Sequence, residues 1–140
     1  MTAIYTAVAT ATGEGRNGHT RSSDGRVDLD LAVPVEMGGS GDGANPEQLF
    51  AAGYAACFHN ALKRMARHAQ AKIADSAVTA EVGIGPNGAG GLGLEVTLHV
   101  ELSGVDQVAP EQLVSAAHQV CPYSNATRGN IPVTLVTTVE

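Results

Sequence analysis

The feature that most constrains the fold is a strict two-residue alternation of apolar side chains in residues 92–102. Successive side chains of a β-strand point to opposite faces, so this spacing predicts a strand with one buried face. Residues 76–85 alternate in the same way, and the intervening stretch PNGAGG is typical of a turn. The apolar positions of the firmer strand are Leu92, Leu94, Val96, Leu98, Val100 and Leu102.

Shorter strands are predicted on both sides of these two. Residues 4–12, 19–22 and 27–33 are rich in β-branched residues or alternate apolar with other side chains. The turn signal Ser23-Asp24-Gly25 separates the last two segments, so the chain should open with two or three antiparallel strands. Residues 131–139 predict a final strand.

A long helix is predicted after the glycine-rich loop 34–45. The stretch Asn45-Pro46-Glu47 is typical of a helix start, and the helix should continue to about Gln70. Gly53 within it costs about 1 kcal/mol relative to Ala, which the backbone of another helix passing close by would explain. The expected apolar stripe is Phe50, Tyr54, Phe58, Ala61 or Leu62, Met65 and Ala69.

A second helix should begin at Pro110 and end before Pro122, because the residue that precedes a proline is disfavoured in the helical region. The order of elements is then βββ-α-ββ-α-β, which predicts an α+β fold. No repeat or linker interrupts the sequence, so we expect a single domain over residues 1–140.

Charge and hydropathy exclude several classes of function. Eight Lys and Arg against 14 Asp and Glu give a net charge of −6, so a basic nucleic-acid footprint is not expected. No apolar stretch is long enough to span a membrane, and the first residues carry no secretion signal, so we expect a cytoplasmic protein. Only 16% of the residues are charged, which suggests that part of the surface is hidden in an oligomer.

The only two cysteines, Cys57 and Cys121, admit four interpretations. They could be buried inert thiols, a nucleophile with a histidine base for acyl transfer, zinc ligands together with His59 and His118, or a redox pair. On a helix, residues 57 and 59 point about 200° apart, which disfavours zinc, although His118 and Cys121 share a face. None of the five histidines has a flank typical of a Cys–His nucleophile.

The surroundings of the cysteines favour the redox pair. Cys57 lies in the middle of the long helix among small residues, where a thiol is held rigidly. Cys121 lies at a helix end, and the residues after it suit a flexible turn rather than a helix. A fixed attacking thiol and a mobile resolving thiol are what a thiol peroxidase needs. For this role Cys57 requires a low pKa, and therefore a nearby cation.

Two stretches carry a resemblance to a known family. NPEQLFAAGYAACF (residues 45–58) and VCPYSNATRGNIPV (residues 120–133) resemble the signatures of the organic hydroperoxide resistance proteins, a branch of the family that includes the osmotically inducible protein C. Residues 5–34 resemble the N-terminal hairpin of that family. The resemblance implies an α+β fold in which long central helices pack against antiparallel sheets in an intertwined homodimer.

The resemblance also implies a thiol-dependent peroxidase that reduces alkyl and fatty-acid hydroperoxides to alcohols. It makes Cys57 the peroxidatic cysteine, Cys121 the resolving cysteine of a Cys57–Cys121 disulfide, Arg16 the activating cation and Glu47 the carboxylate that holds it. It further implies that dihydrolipoamide or a lipoylated protein reduces the disulfide. No metal or flavin motif is present, so no cofactor is expected.

Other interpretations of these residues stay open. Without the resemblance, Arg16 would be a solvated loop arginine and Glu47 an acid at a helix start. Phe50, Phe58, Tyr123 and Met37 could line an apolar access path for an alkyl tail, but core packing explains the phenylalanines equally well. A cysteine-based sensor that records oxidation without turnover is the competing non-enzymatic function.

The spacing along the long helix predicts that the site is shared between subunits. Glu47 precedes Cys57 by ten residues, a rise of roughly 15 Å in a continuous helix. Glu47 and the arginine it holds would then lie too far along the axis to serve Cys57 of their own chain. A second copy of the helix, packed antiparallel along the small-residue face, could supply them.

Overall fold

The computed structural model describes residues 1–140, and these form two units, Met1–Leu49 and Phe50–Glu140. We predict a single domain over these residues, and the structure divides them into two units. The predicted order βββ-α-ββ-α-β is confirmed, with one additional short helix. The elements are β1 (Ala9–Thr12), β2 (His19–Ser22), β3 (Asp28–Asp30), α1 (Pro46–His68), β4 (Asp75–Pro86), β5 (Leu92–Ser103), α2 (Pro110–Val120), α3 (Pro122–Thr127) and β6 (Val133–Val139).

The first unit contains an antiparallel sheet in the order β1-β2-β3. The predicted turn after β2 is present, and Gly25 supplies it with a positive φ of 73°. β1 begins only at Ala9, so the prediction of a strand from residue 4 is wrong. β3 (Asp28–Asp30) is shorter than the predicted strand over residues 27–33, and Leu31 forms an isolated bridge to Ala44.

The start of α1 follows the prediction. The Asn45 side chain accepts a hydrogen bond from the Gln48 backbone N–H at 2.8 Å, and the Gln48 side chain accepts one from the Asn45 N–H at 3.1 Å. This reciprocal pair is a capping box, which satisfies two backbone donors that a helix N-terminus leaves free. Pro46 occupies the first helical position, where its missing N–H costs nothing.

The end of α1 and its buried face differ slightly from the prediction. The helix ends at His68, and Gln70 adopts a left-handed conformation with a φ of 56°. The Ala71 N–H then donates to the Ala66 carbonyl, which closes the helix in a Schellman motif. The residues that the helix buries are Tyr54, Phe58, Ala61, Leu62 and Ala66, whereas Met65 is half-buried and Ala69 is exposed.

The second unit contains a three-stranded sheet in the order β4-β5-β6. β4 and β5 pair antiparallel over twelve residues each, which confirms the two central strands. β6 pairs parallel to β5, so the expectation of antiparallel sheets holds only in part. The connection through α2 and α3 explains this, because a long crossover lets a strand return in the same direction. The alternate residues Val96, Leu98, Val100 and Leu102 are buried.

The junction between α2 and α3 is the main departure from the sequence prediction. α2 ends at Val120, as Pro122 predicts, and Cys121 is extended with φ −63° and ψ 123°. Pro122 then opens α3 (Pro122–Thr127), where we predict a flexible turn. That prediction is wrong because a proline that ends one helix is also favoured at the first position of the next. No helix combines the length and apolar character needed to cross a membrane.

Candidate active site

The two cysteines of the second unit lie side by side. The Cys121 thiol faces the Cys57 sulfur at 3.5 Å, and both cysteines are free thiols. Cys57 comes from the middle of α1 and is half-buried, whereas Cys121 comes from the α2–α3 junction and is fully buried. A disulfide has a sulfur–sulfur length of about 2.05 Å, so an approach of roughly 1.5 Å would close one. The fold therefore brings together two thiols that are 64 residues apart.

The second unit by itself favours the neutral thiol of Cys57. Burial raises the pKa of Cys57, the backbone amide of Tyr123 acts in the opposite direction, and the neighbouring Cys121 raises the pKa further. None of these influences is a cationic side chain. A thiolate at Cys57 would therefore need a cation in addition to the groups that surround it in the second unit.

Arg16 and Glu47 of the first unit form the ion pair that the family resemblance implies. Arg16 Nη1 and Nη2 donate to the two carboxylate oxygens of Glu47 at 2.8 and 2.7 Å. The Glu47 side chain is 13% exposed and that of Arg16 is 36% exposed. The hydrogen bonds lower the pKa of Glu47 and raise the pKa of Arg16, so both groups stay charged. The bidentate geometry fixes the plane of the guanidinium.

Local backbone structure positions both partners of this pair. Arg16 lies in a single 3₁₀ turn, Gly15–Asn17, in which Gly15 has a φ of 59°. Glu47 lies in the first turn of α1, where the positive end of the helix dipole favours a carboxylate. The helix start and the glycine-containing turn therefore account for the position of each charge.

Three aromatic rings of the second unit pack together beside the small residues of α1. The ring centroid of Tyr123 lies 6.2 Å from that of Phe50 and 5.7 Å from that of Tyr54. A Cβ atom at Gly53 would lie 2.8 Å from the Tyr123 hydroxyl. We predict the backbone of another helix close to Gly53, whereas the neighbour in the structure is the Tyr123 side chain.

The other predicted substrate-lining residues lie in different environments. Phe58 is fully buried in the hydrophobic core of the second unit, which agrees with the core-packing alternative. Tyr123 is 40% exposed and Phe50 is half-buried, so both can reach a surface. Met37 belongs to the first unit, where it ends a 3₁₀ turn and is 40% exposed.

A buried polar network, which the sequence analysis missed, lies next to the cysteines in the second unit. The Tyr54 hydroxyl contacts the Ser124 hydroxyl at 2.8 Å and the Thr127 hydroxyl at 3.0 Å. His118 Nδ1 contacts the same Ser124 hydroxyl at 2.8 Å. Burial lowers the pKa of His118, and the charge of Arg128 lowers it further. No periodic pattern marks these residues, which come from three different helices.

The histidines considered as zinc ligands have other partners. His118 binds Ser124, and His59 Nε2 contacts the Ser76 hydroxyl at 2.8 Å. No group of three or more His, Cys, Asp or Glu side chains is arranged to hold a metal ion. The observed arrangement is instead a pair of adjacent thiols with a hydroxyl network beside it, and it suits thiol redox chemistry.

Comparison with known proteins gives consistent matches. Residues 39–136 match the family described as OsmC-like protein. The chain is 54% identical over 134 residues to the organic hydroperoxide resistance protein of Xanthomonas axonopodis pv. citri, covering 94% of this chain and 93% of that protein. It is 46% identical over 134 residues to the organic hydroperoxide resistance protein OhrB of Bacillus subtilis, covering 95% of this chain and 97% of that protein. The crystal structure of an organic hydroperoxide resistance protein from Elizabethkingia anophelis superimposes with a TM-score of 0.91, with 49% identity and full coverage of both chains.

Proposed function

The chain belongs to the OsmC-like family, within which its relatives are organic hydroperoxide resistance proteins, and we propose that it is a cysteine-dependent peroxidase that reduces organic hydroperoxides to alcohols. The observation that carries this proposal is the pair of free thiols, Cys57 and Cys121, whose sulfur atoms lie 3.5 Å apart. The printed names of the relatives point to the organic hydroperoxide as substrate class.

The proposed reaction has two steps within the protein. The Cys57 thiolate attacks the O–O bond of the hydroperoxide, which forms a sulfenic acid and releases an alkoxide that takes up a proton to give the alcohol. The Cys121 thiol then condenses with the sulfenic acid to give the Cys57–Cys121 disulfide and water. Two equivalents of thiol restore the reduced pair. We propose a dihydrolipoyl dithiol, either dihydrolipoamide or a lipoylated protein, as that reductant.

Arg16 and Glu47 serve the first step in this proposal. The guanidinium favours the Cys57 thiolate and stabilises the negative charge that develops on the departing oxygen. The carboxylate of Glu47 holds the guanidinium in one orientation through the two hydrogen bonds. Burial alone raises the pKa of Cys57, so a cation is required for a reactive thiolate at neutral pH.

We propose that the active site is completed by a second copy of the chain in a homodimer. Glu47 and Cys57 lie on one continuous helix, separated by a rise of about 15 Å, so we infer that the cation held by Glu47 serves Cys57 of the partner copy. The first unit also exposes Ile4, Tyr5 and Val8, with Ile4 at 103% and Tyr5 at 72% of their full exposure. Exposed apolar side chains of this size are typical of a surface that a partner covers.

The aromatic cluster suggests where the organic part of the substrate binds. Phe50 and the partly exposed Tyr123 present apolar rings close to the helix that carries Cys57, and Met37 is the exposed apolar candidate of the first unit. An alkyl tail would gain roughly 0.8 kcal/mol for each methylene that it buries against such rings. We therefore expect a preference for alkyl or fatty-acid hydroperoxides over hydrogen peroxide.

A turnover assay separates the peroxidase from a sensor. The reduced protein is mixed with an excess of tert-butyl hydroperoxide and dihydrolipoamide, and loss of the hydroperoxide is followed. A peroxidase consumes many equivalents per chain, whereas a sensor consumes one and stops. Cys57→Ser should abolish consumption. A wild-type protein that stops after one equivalent, with the dithiol still reduced, would contradict the proposal.

A further inference from the structure

The buried network beside the cysteines links three helices. We name Tyr54, His118, Ser124 and Thr127 the hydroxyl clamp. Tyr54 and Ser124 are completely buried and Thr127 is 4% exposed. The clamp connects α1 to the end of α2 and to α3, through contacts of 2.8 to 3.0 Å. Buried polar groups cost free energy unless each is paired, so such a network favours one geometry strongly over its alternatives.

Counting hydrogens fixes the direction of every bond in the clamp. Each hydroxyl has one hydrogen to donate. The Thr127 hydroxyl donates to the Ser124 carbonyl at 3.2 Å, so the Tyr54 hydroxyl has to donate to Thr127. Ser124 must then donate to Tyr54, and its oxygen can only accept from His118. His118 Nδ1 therefore carries a hydrogen, and the chain of donors runs from His118 to the carbonyl of Ser124.

Two residues of the clamp flank Cys121 in the sequence. His118 lies three residues before Cys121, in the last turn of α2, and Ser124 lies three residues after it, in the first turn of α3. Cys121 is the single extended residue between these helices, with ψ at 123°, so its torsion angles set the direction of its side chain. The bond from His118 to Ser124 spans this junction and restricts how far it can bend.

The third partner ties the junction to the other cysteine. Tyr54 lies on α1 one turn before Cys57, and its hydroxyl binds Ser124 and Thr127 of α3. The element that carries Cys121 is thus bonded to the element that carries Cys57. We propose that the hydroxyl clamp holds the Cys121 thiol in contact with Cys57, so that His118, Ser124 and Tyr54 are positioning residues for disulfide closure. This inference rests on the proposed function only for its catalytic consequence.

The clamp should affect one step of the reaction and not the other. Attack of Cys57 on the hydroperoxide forms no bond to Cys121, and no side chain of the clamp is hydrogen-bonded to the Cys57 sulfur. Condensation of the sulfenic acid with the Cys121 thiol, which forms the S–S bond and releases water, depends on the distance between the two sulfur atoms. If the junction loosens, the sulfenic acid persists, and a second hydroperoxide molecule can oxidise it to the sulfinic acid.

The test compares Ser124→Ala with a matched control. Ser124→Ala leaves the Tyr54 hydroxyl and His118 Nδ1–H without their partner and should slow disulfide closure by about tenfold. Ser76→Ala removes the other His–Ser hydrogen bond of the same unit, also 2.8 Å long and partly buried, but between α1 and β4. Ser76→Ala should close the disulfide at the wild-type rate. Ser124→Thr, which keeps the hydroxyl, should recover most of the rate.

Two measurements are made on each variant. Rapid quenching after one equivalent of tert-butyl hydroperoxide gives the rates of peroxide consumption and disulfide formation, and mass spectrometry after excess peroxide gives the sulfinic acid fraction. Only Ser124→Ala should separate the two rates and raise the sulfinic acid fraction. Tyr54→Phe, which keeps the ring, should behave like Ser124→Ala and serves if that variant does not fold. Equal slowing of both steps, or an equal effect of Ser76→Ala, would overturn the inference.

Disulfide closure is also measured without a hydroperoxide. Diamide accepts two hydrogens from a dithiol and gives the disulfide and a hydrazine, so it reports on the thiol pair alone. The clamp predicts slower closure by diamide in Ser124→Ala than in wild type or Ser76→Ala. Equal rates in all three proteins would overturn the clamp. A wild type that closes rapidly with diamide but never turns over with hydroperoxide would instead contradict the proposed function.

Discussion

Neutralising Glu47 tests whether that carboxylate works through Arg16. Glu47→Gln keeps the size of the side chain but replaces two hydrogen bonds of 2.8 and 2.7 Å to a carboxylate by at most one bond from the guanidinium to an uncharged amide oxygen. Hydrogen bonds to charged groups contribute about 1.5–3 kcal/mol, and water competes for an Arg16 side chain that is 36% exposed, so the lower part of that range applies. A loss of about 2 kcal/mol corresponds to roughly a 30-fold fall in kcat/KM.

The assay is a double-mutant cycle on kcat/KM for tert-butyl hydroperoxide with Glu47→Gln, Arg16→Ala and the double variant. If Glu47 acts only by holding Arg16, the double variant should be no slower than Arg16→Ala. Glu111→Gln is the matched control, because Glu111 follows a proline in the first turn of α2 but is exposed and has no ion-pair partner. Independent effects that multiply in the double variant, or a loss in Glu111→Gln equal to that in Glu47→Gln, would refute this account.

Three further predictions concern the shared site, its pH dependence and the packing at Gly53. Inactive Cys57→Ser and inactive Arg16→Ala chains, refolded together, should regain about a quarter of wild-type activity. Half of the dimers are then mixed, and each mixed dimer has one complete site out of two. If a mixture shown to contain mixed dimers regains no activity, the site is not shared. The Arg16 guanidinium lowers the pKa of Glu47, so the stability that the pair contributes should be complete above the ordinary pKa of glutamate and lost as pH falls through the lowered value. The free energies of unfolding of wild type and Glu47→Gln in urea should therefore differ by a constant amount at neutral pH and converge in acid. A difference that does not change with pH would contradict the assignment. Gly53→Ala places a Cβ 2.8 Å from the Tyr123 hydroxyl and should displace that ring. The displacement should cost about 1–3 kcal/mol of stability, against a gain of about 1 kcal/mol in helix propensity. If Gly53→Ala instead raises the midpoint of thermal unfolding, and by the same amount in a Tyr123→Phe background, the ring is not the obstacle.

The elements that could be predicted are those whose signals are local. The alternation through Val96, Leu98 and Val100 is repeated over many residues, and these side chains are buried as predicted. The helix start at Asn45 combines several signals within four residues, and its capping box is present. A single residue can have two structural outcomes: Pro122 ends α2 as predicted, but it also begins α3, which was not predicted.

The parts of the site that could not be predicted depend on contacts between distant residues. Tyr54 and Ser124 are 70 residues apart, and neither belongs to a motif that indicates a buried hydrogen bond. The pairing of Arg16 with Glu47 was predicted through the family resemblance and not from spacing, since the two residues are 31 positions apart and lie in different elements. Composition and periodicity indicate which faces are buried, but they do not indicate which polar groups meet there.

The most direct test of the central claim is the mass of the protein after one equivalent of organic hydroperoxide. The account predicts that wild type loses two hydrogens, a decrease of about 2 Da, and that peptide mapping finds Cys57 and Cys121 joined within one chain. Cys121→Ser should consume one equivalent and then stall, with Cys57 passing to the sulfinic and sulfonic acids in excess peroxide. A wild-type protein that gains one oxygen as a stable sulfenic acid, or that forms a disulfide between two chains, would contradict the account.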